Sequence, residues 1–228
     1  MSHSRFYKEL QSAPHLLIGG TTGSGKSTVI NGFIHTFYKT CDVFDRLILI
    51  DPKRVELNMF AALPQCDGYG CTPAEALELL KYASRIMEDR YTEMAKDNEK
   101  FYTGSKIWII IDELADLMIS PLAKEIKLEM QHILQLGRAA NIHIMAGTQA
   151  PSRKIIPAEL VLNFTHRLAL RCLSSIESNQ IINRAGAEQI KEMGIAWFLE
   201  PQGYSLRQLL YFSEEEIKKD LKNYLSIV

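Results

Sequence analysis

The sequence has almost no net charge and few residues of the kinds that mark specialised proteins. Its 26 lysines and arginines are balanced by 27 aspartates and glutamates, which leaves a formal net charge of −1. A strong basic excess is typical of proteins that bind nucleic acid over a broad surface. Any contact with nucleic acid must therefore come from a local group of cations. The four cysteines lack the paired spacing of a zinc site, so we interpret them as reduced structural thiols.

Long apolar segments are also absent. The longest apolar runs, at residues 107–111 and 142–146, have the length of strands and fall far short of the roughly 20 residues that cross a membrane. The N-terminus does not show the basic and then apolar order of a secretory signal peptide. We therefore expect a cytoplasmic protein, which a partner protein could bring to a membrane.

Short apolar runs alternate with longer stretches of helical periodicity, a pattern typical of a mostly parallel β-sheet with helices on both faces. We predict one α/β domain over residues 14–228, after an N-terminal extension at residues 1–13. Capping boxes predict helix starts at Thr72 and Ser213. We expect strands at residues 15–18, 47–51, 107–112, 142–147 and 166–172, and a C-terminal antiparallel hairpin of residues 196–199 with 206–212.

Residues 20–27, GTTGSGKS, match the phosphate-loop pattern G-x-x-x-x-G-K-[ST] between a predicted strand and a predicted helix. The glycines let the backbone turn so that N–H groups point at phosphate oxygens, and the following helix adds its N-terminal dipole. Lys26 is predicted to reach the β- and γ-phosphates, and Ser27 to bind Mg²⁺. The predicted nucleotide-binding residues are Gly20, Thr21, Thr22, Gly23, Ser24, Gly25, Lys26, Ser27 and Thr28.

Two acidic residues follow the most apolar predicted strand. An aspartate at this position holds Mg²⁺ in phosphate-loop proteins, so Asp112 is predicted to act with Ser27. Glu113 can orient and deprotonate a water for attack on the γ-phosphate, which favours hydrolysis over phosphotransfer. The alternative is an acidic helix start. Gln149, at the end of the next strand, is predicted to hydrogen-bond the attacking water or the γ-phosphate, the alternative being an amide that faces solvent.

Further blocks of the sequence resemble the motor domain of the FtsK/SpoIIIE family. They include IDPK…EL, IIIDELADLM and LGRAANIHIMAGTQAPS, and they run from Pro14 to Gly203. The resemblance implies a RecA-like P-loop ATPase fold, ATP with Mg²⁺ as fuel, and a hexameric ring of identical subunits with double-stranded DNA in its pore. The family commonly reads T-Q-R-P-S where this chain has TQAPS, so Ala150 removes one cation.

The resemblance also suggests roles for basic residues. Arg138, in GRAAN, matches a family arginine that resembles an arginine finger reaching the γ-phosphate of a neighbouring subunit, and Arg90, in EDRY, is a second candidate. For either residue a structural salt bridge is the alternative. The DPK..EL element, with Asp51, Lys53 and Glu56, has no role that the sequence reveals. Arg153 and Lys154 are the best local candidates for cations that contact DNA phosphates, although an exposed basic loop would look the same.

These patterns predict an ATPase that moves double-stranded DNA without reading its bases, for a mobile element or a plasmid. Two alternatives stay open: a protein-export ATPase of the type VII secretion kind, and a regulatory ATP-binding module that hydrolyses poorly by itself. The expected partners are duplex DNA, further copies of this chain, and a membrane or mobile-element protein.

Overall fold

The computed structural model describes residues 3–209 and 211–227, and in this part of the chain one eight-stranded sheet carries helices on both faces. The strands are β1 (His15–Gly19), β2 (Arg46–Ile50), β3 (Cys66–Gly70), β4 (Ile107–Ile111), β5 (Ile142–Thr148), β6 (His166–Ala169), β7 (Ile195–Glu200) and β8 (Gly203–Gln208). The α-helices are α1 (His3–Leu10), α2 (Lys26–Thr40), α3 (Pro73–Asp97), α4 (Leu114–Met118), α5 (Ala123–Leu136), α6 (Ala158–Leu162), α7 (Ser175–Ile182) and α8 (Glu214–Leu225). Every one of these helices is too short or too polar to cross a lipid bilayer.

The central strands are apolar along their whole length because both faces of the sheet are covered. Successive side chains point to opposite faces, so Trp108 of β4 packs in the core beneath α1, α2 and α8, and Ile109 packs in the core beneath α3 to α6. The ring centroids of Trp108 and Phe33 lie 4.9 Å apart, edge to face. The α/β fold with a mostly parallel sheet is therefore confirmed.

The strand order is β3-β2-β4-β5-β1-β6-β7-β8. The first six strands of this order run parallel to one another, and β7 and β8 are antiparallel to their neighbours. β5 lies between β1 and β4 and pairs with both. This order separates the phosphate-loop strand from the acidic strand by the width of one strand, and Gln149 follows the strand in between.

The predicted parallel strands all form, and the two capping boxes, at Thr72 and Ser213, are confirmed. β3 was not predicted, because CDGYG contains no apolar run and lies at an edge of the sheet. The last parallel strand was predicted to continue to residue 172, but β6 ends at Ala169. Beyond it the backbone turns towards the phosphate loop, where the Arg171 carbonyl accepts a hydrogen bond from the Thr21 N–H.

The second strand of the predicted hairpin is wrong in position. β8 is Gly203–Gln208 instead of residues 206–212, and residue 210 lies outside the described residues. Glu200 pairs with Gly203, so the turn has only two residues, and Gly203 has a φ of 134°, which favours glycine. Of the apolar residues that suggested a later strand, Leu209, Tyr211 and Phe212 follow β8 and precede α8.

α1 falls within the predicted N-terminal extension, whose first two residues lie outside the described part. Phe6, Tyr7 and Leu10 are buried against α2 and the sheet. Gly32 of α2 makes room for α1, because a Cβ there would come within 2.5 Å of the Tyr7 ring. The boundary at residue 14 stays a prediction, although α1 shares the core of the main fold.

Candidate functional site

The carboxyl ends of four parallel strands, β1, β2, β4 and β5, meet at one edge of the sheet. In open α/β sheets this edge is where ligands bind. The segments that follow these strands are the phosphate loop, the DPK..EL loop at residues 51–57, the pair Asp112 and Glu113, and Gln149. The fold thus brings together the predicted phosphate, metal and water-activating residues.

The phosphate loop connects the end of β1 to the start of α2. Gly23 and Gly25 have φ values of 73° and 99°, which an L-residue rarely adopts. The loop is anchored at its start, where the Gly20 N–H donates to the Thr148 carbonyl at 3.2 Å and the Thr21 N–H donates to the Arg171 carbonyl at 3.0 Å. The first turn of an α-helix has N–H groups without intrahelical acceptors. Those of α2 are available to an anion.

Lys26 is buried, and its ammonium lies against Asp112. The Nζ donates to the Asp112 backbone carbonyl and to its Oδ1, both at 2.7 Å. Gly147 of β5 makes this approach possible, since a Cβ there would lie 2.4 Å from the Asp112 carbonyl oxygen and 3.0 Å from the Lys26 Cδ. The sequence reasoning missed Gly147. Its signal is a glycine inside an apolar strand, which often marks a close approach of another group.

The second carboxylate oxygen of Asp112, Oδ2, is buried and without a hydrogen-bond partner among the described residues. A buried carboxylate oxygen of this kind is the hard ligand that Mg²⁺ or its bound water prefers. Ser27, the second residue of α2, directly follows the Lys26 that contacts Asp112, and its hydroxyl is a second possible ligand. The donor set therefore fits a hydrated divalent cation.

Glu113 is connected to the phosphate loop through Gln149. Its side chain is only 3% exposed, and both carboxylate oxygens accept from the Gln149 backbone N–H at 3.1 Å. The Gln149 side-chain oxygen accepts a hydrogen bond from the Thr22 hydroxyl at 2.8 Å. A continuous path of contacts therefore runs from the phosphate loop to the acidic side chain, although the sequence places these residues far apart.

The DPK..EL loop brings a cation to the same carboxylate. Asp51 is fully buried, and its Oδ2 accepts the backbone N–H groups of Glu56 at 3.1 Å and Leu57 at 2.9 Å. Its carboxylate thus closes the loop on itself. Lys53, carried by this loop, places its Nζ 3.4 Å from the Glu113 Oε2. The sequence indicated no role for these residues because the contact depends on how the loop folds back.

A cavity of about 380 Å³ opens beside the phosphate loop. It reaches Ser24 and Thr28 on one side, and its other walls are mainly apolar, with Leu170 and Leu209 among them. Mostly apolar walls with few polar groups are typical of ligand sites. A larger cavity of about 540 Å³ lies by the β7–β8 hairpin, beside Arg184, and contacts none of the strand ends described above.

The two arginines predicted as trans fingers occupy different surroundings. Arg90 is buried, and its guanidinium donates to the Ala140 carbonyl at 2.7 Å and to the Ser105 hydroxyl at 2.9 Å. It also stacks over the Tyr102 ring at 4.3 Å, and burial lowers the pKa of its guanidinium. Arg138 is exposed in the turn before β5, at the opposite edge of the sheet from the phosphate loop. Only Arg138 is free to meet a neighbouring molecule.

We expect Arg90→Ala to lower the free energy of unfolding by about 1–3 kcal/mol, because buried carbonyl oxygens would lose their donor. Arg138→Ala should change this free energy by no more than about 0.5 kcal/mol, since its side chain is exposed. Urea unfolding followed by circular dichroism measures both values. Equal losses for the two variants would contradict the buried, structural placement of Arg90.

Arg153 and Lys154 are exposed in the loop between β5 and α6. The loop begins at Gln149, so the two cations are a few residues from the path that leads to Glu113. Ala150, which stands where the family commonly has arginine, packs partly buried against the core beneath α3 to α6. With alanine in place of arginine, the base of the loop makes an apolar contact and carries no charge at this position.

Residues 1–104 match the FtsK/SpoIIIE family. The chain is 38% identical to the DNA translocase FtsK of Caldanaerobacter subterraneus subsp. tengcongensis, in an alignment that covers 92% of this chain and 32% of that protein. It is 33% identical to the DNA translocase FtsK of Helicobacter pylori, with 94% of this chain and 27% of that protein covered. The chain thus spans less than a third of the length of these relatives.

The fold is similar to that of the pCW3 conjugation coupling protein TcpA, solved as a monomer with ATPγS, at a TM-score of 0.81 and 23% identity, covering 94% of this chain and 66% of that one. It is also similar to the cytoplasmic domain of the type VII secretion ATPase EccC of Thermomonospora curvata, at a TM-score of 0.73 and 18% identity, covering 92% of this chain and 28% of that one. These likenesses show a P-loop ATPase fold. By the matching residues and the identity to these relatives, the chain is similar to the FtsK/SpoIIIE family.

Proposed function

We propose that this chain is a motor ATPase that hydrolyses ATP with Mg²⁺ and thereby moves double-stranded DNA. The contact path from Thr22 through Gln149 to Glu113 carries the proposal. The path joins the phosphate loop to the buried Glu113 carboxylate, which can activate water. It passes through Gln149, where the exposed loop that carries Arg153 and Lys154 begins. A module that only bound nucleotide would have no use for a buried carboxylate beside its γ-phosphate position.

Nucleotide binding, in this proposal, changes the partners of Lys26. The ammonium leaves the Asp112 carboxylate for the β- and γ-phosphates, and the backbone N–H groups of the loop and of α2 bind the remaining phosphate oxygens. Asp112 and Ser27 would hold Mg²⁺, which would neutralise charge on the phosphates. The cavity beside Ser24 accepts the nucleobase.

Hydrolysis then depends on Glu113 and Gln149. Glu113 orients a water and accepts its proton as the water attacks the γ-phosphorus, and the bond to the β–γ bridging oxygen breaks, so that ADP and inorganic phosphate form. Gln149 contacts the γ-phosphate in place of Thr22, so release of phosphate alters the position where the loop of Arg153 and Lys154 begins. These two cations bind DNA phosphates without reading bases, and the shift of the loop moves the DNA.

We further propose a homo-oligomeric ring, hexameric by likeness to the family, in the cytoplasm, with a membrane or mobile-element protein as partner. The placement of Arg138 supports the ring, since it is exposed at the sheet edge opposite the phosphate loop. A neighbour stacked head to tail would bring its Arg138 towards the γ-phosphate. A cation that arrives only on assembly makes hydrolysis depend on the ring.

Transport of polypeptide is the alternative function, and the likeness to a type VII secretion ATPase favours it at the level of the fold. The relatives above 30% identity are DNA translocases, which supports DNA. Phosphate release with duplex DNA, with a secreted peptide and with neither separates the two functions. We expect duplex DNA alone to stimulate release, and stimulation only by peptide would establish the export alternative.

The basic loop gives a second readout for the same proposal. Arg153→Gln with Lys154→Gln should weaken DNA binding and flatten its dependence on salt, because about one counterion is released for each phosphate contact. The matched control is Lys218→Gln with Lys222→Gln on α8, which removes equal charge from the other face of the sheet. Fluorescence anisotropy of a labelled duplex at several salt concentrations measures the slope. If the loop variant and the α8 control gave the same dependence of DNA affinity on salt concentration, the DNA contact would lie elsewhere.

A further inference from the structure

Lys53 is the cation that faces the buried carboxylate of Glu113. Among the described residues, the ion pairs of Glu113 consist of this one contact, with the Lys53 Nζ 3.4 Å from Oε2. A buried carboxylate without a nearby cation is costly, so removing its partner has large effects. Lys53 itself is 38% exposed, which means that its position has to be fixed by the backbone that carries it.

That backbone is a closed turn rather than a free surface loop. The Arg54 N–H donates to the Asp51 carbonyl at 3.0 Å, with Pro52 at the second position, where a turn favours proline. The buried Asp51 carboxylate binds the far end of the same loop, at Glu56 and Leu57. The loop therefore holds Lys53 in one place at the carboxyl end of β2.

The sheet sets this turn beside the acidic strand. β2 and β4 are parallel neighbours, and Ile50 pairs with Ile111, so the residues that follow them leave the sheet side by side. Glu113 is held from the opposite direction by the Gln149 N–H, which follows β5 on the other side of β4. The Glu113 carboxylate thus lies between the backbone N–H of Gln149 and the ammonium of Lys53.

On the basis of the proposed hydrolysis, we propose that Lys53 is a positioning residue that orients the Glu113 carboxylate for water activation and does not contact the nucleotide. The backbone N–H of Gln149 hydrogen-bonds both carboxylate oxygens of Glu113. Lys53 attracts Oε2 alone and so sets the rotation of the carboxylate. The distance of 3.4 Å is longer than the 2.7–2.9 Å of a direct charge-assisted hydrogen bond. The contact is thus a long hydrogen bond to Oε2, so the ammonium steers the group through this oxygen and leaves Oε1 to accept a proton.

The test compares three variants of the full chain, Lys53→Met, Lys53→Arg and Lys81→Met. Lys81 is the matched control, because its side chain is 42% exposed and pairs with Glu78 on α3, away from the site. We expect Lys53→Met to lower kcat by about 10- to 100-fold, since small misplacements of reacting groups have effects of this size. The Kd of a fluorescent ATP analogue should stay the same, Lys53→Arg should restore most of the rate, and Lys81→Met should match the wild type.

A double-mutant cycle shows whether Lys53 acts through Glu113. In the Glu113→Gln background, Lys53→Met should cause no further loss of rate. In the absence of nucleotide, Lys53→Met should lower the urea concentration at the midpoint of unfolding. The decrease should be much smaller in the Glu113→Gln background, where the side chain is neutral. This second cycle requires no hydrolysis, so it reports on the pair even in an inactive preparation.

The outcomes separate the two proposals. A wild-type chain that releases no phosphate, with or without DNA, would overturn the proposed function. An active wild type with an unchanged rate in Lys53→Met would overturn the role of Lys53 alone. Weaker binding of the ATP analogue at unchanged kcat would show that Lys53 contacts the nucleotide instead, and the absence of coupling in the unfolding cycle would show that it does not position Glu113.

Discussion

Glu113→Gln should reduce phosphate release by about 10²- to 10⁴-fold, the contribution typical of a positioned general base, while the protein still binds ATP. Glutamine has nearly the same size, and its side-chain oxygen can still accept the Gln149 N–H, so the fold of the site should persist. It cannot accept the proton of the attacking water. Single-turnover phosphate release and equilibrium binding of a fluorescent ATP analogue measure the two effects separately.

The matched control for this variant is Glu125→Gln, an exposed glutamate in the first turn of α5. It makes the same chemical change on the surface and should release phosphate at the rate of the wild type. If Glu113→Gln retained a rate within about tenfold of the wild type, below the usual contribution of a general base, the water would have another base. Loss of ATP binding in the same variant would assign Glu113 to nucleotide binding.

Lys26→Met should have two large effects, one on the nucleotide and one on the nucleotide-free protein. It removes the cation for the β- and γ-phosphates, so ATP binding should be lost. It also leaves the Asp112 carboxylate buried and unpaired, because Lys26 and Asp112 are 3% and 1% exposed in their side chains. Breaking a buried pair in this way costs about 3–5 kcal/mol, which urea unfolding in the absence of ATP can measure.

Two further variants isolate the cause of that loss. Adding Asp112→Asn to Lys26→Met should recover much of the stability, since the unpaired charge is gone, but should not recover ATP binding. Lys39→Met, at the far end of the same helix, breaks an exposed pair with Asp220 and should cost at most about 1 kcal/mol. If Lys26→Met unfolded at the urea midpoint of the wild type, the pair with Asp112 would not contribute to the stability of the folded state.

The chemistry of the site could be predicted wherever it is local in the sequence. The phosphate loop depends on eight consecutive positions, and Asp112 and Glu113 directly follow a strand that its apolar residues reveal. The capping boxes are equally local. In each case the residues that act together are neighbours in the chain, so their spacing alone determines how they are arranged.

The rest could not be predicted because it depends on which strands become neighbours. The placement of β5 between β1 and β4 is what brings Gln149 into contact with Glu113. The link between Lys53 and Glu113 arises from the pairing of β2 with β4 and from a loop closed by a buried aspartate. Burial also separates Arg90 from Arg138, which the sequence left as the second and the first candidate for the same role. Edge strand β3 offered no apolar signal.

In the proposed mechanism, entry of a nucleotide is an exchange of partners for Lys26, because its ammonium is paired with Asp112 in this structure. By this proposal the incoming phosphates displace the Asp112 carboxylate, so we expect an affinity for ATP lower than a count of its contacts would suggest. The same pairing should favour release of the nucleotide, because the Asp112 carboxylate can pair with the Lys26 ammonium again as the nucleotide leaves. We therefore expect the Asp112 carboxylate to speed the exchange of spent nucleotide for ATP in each cycle.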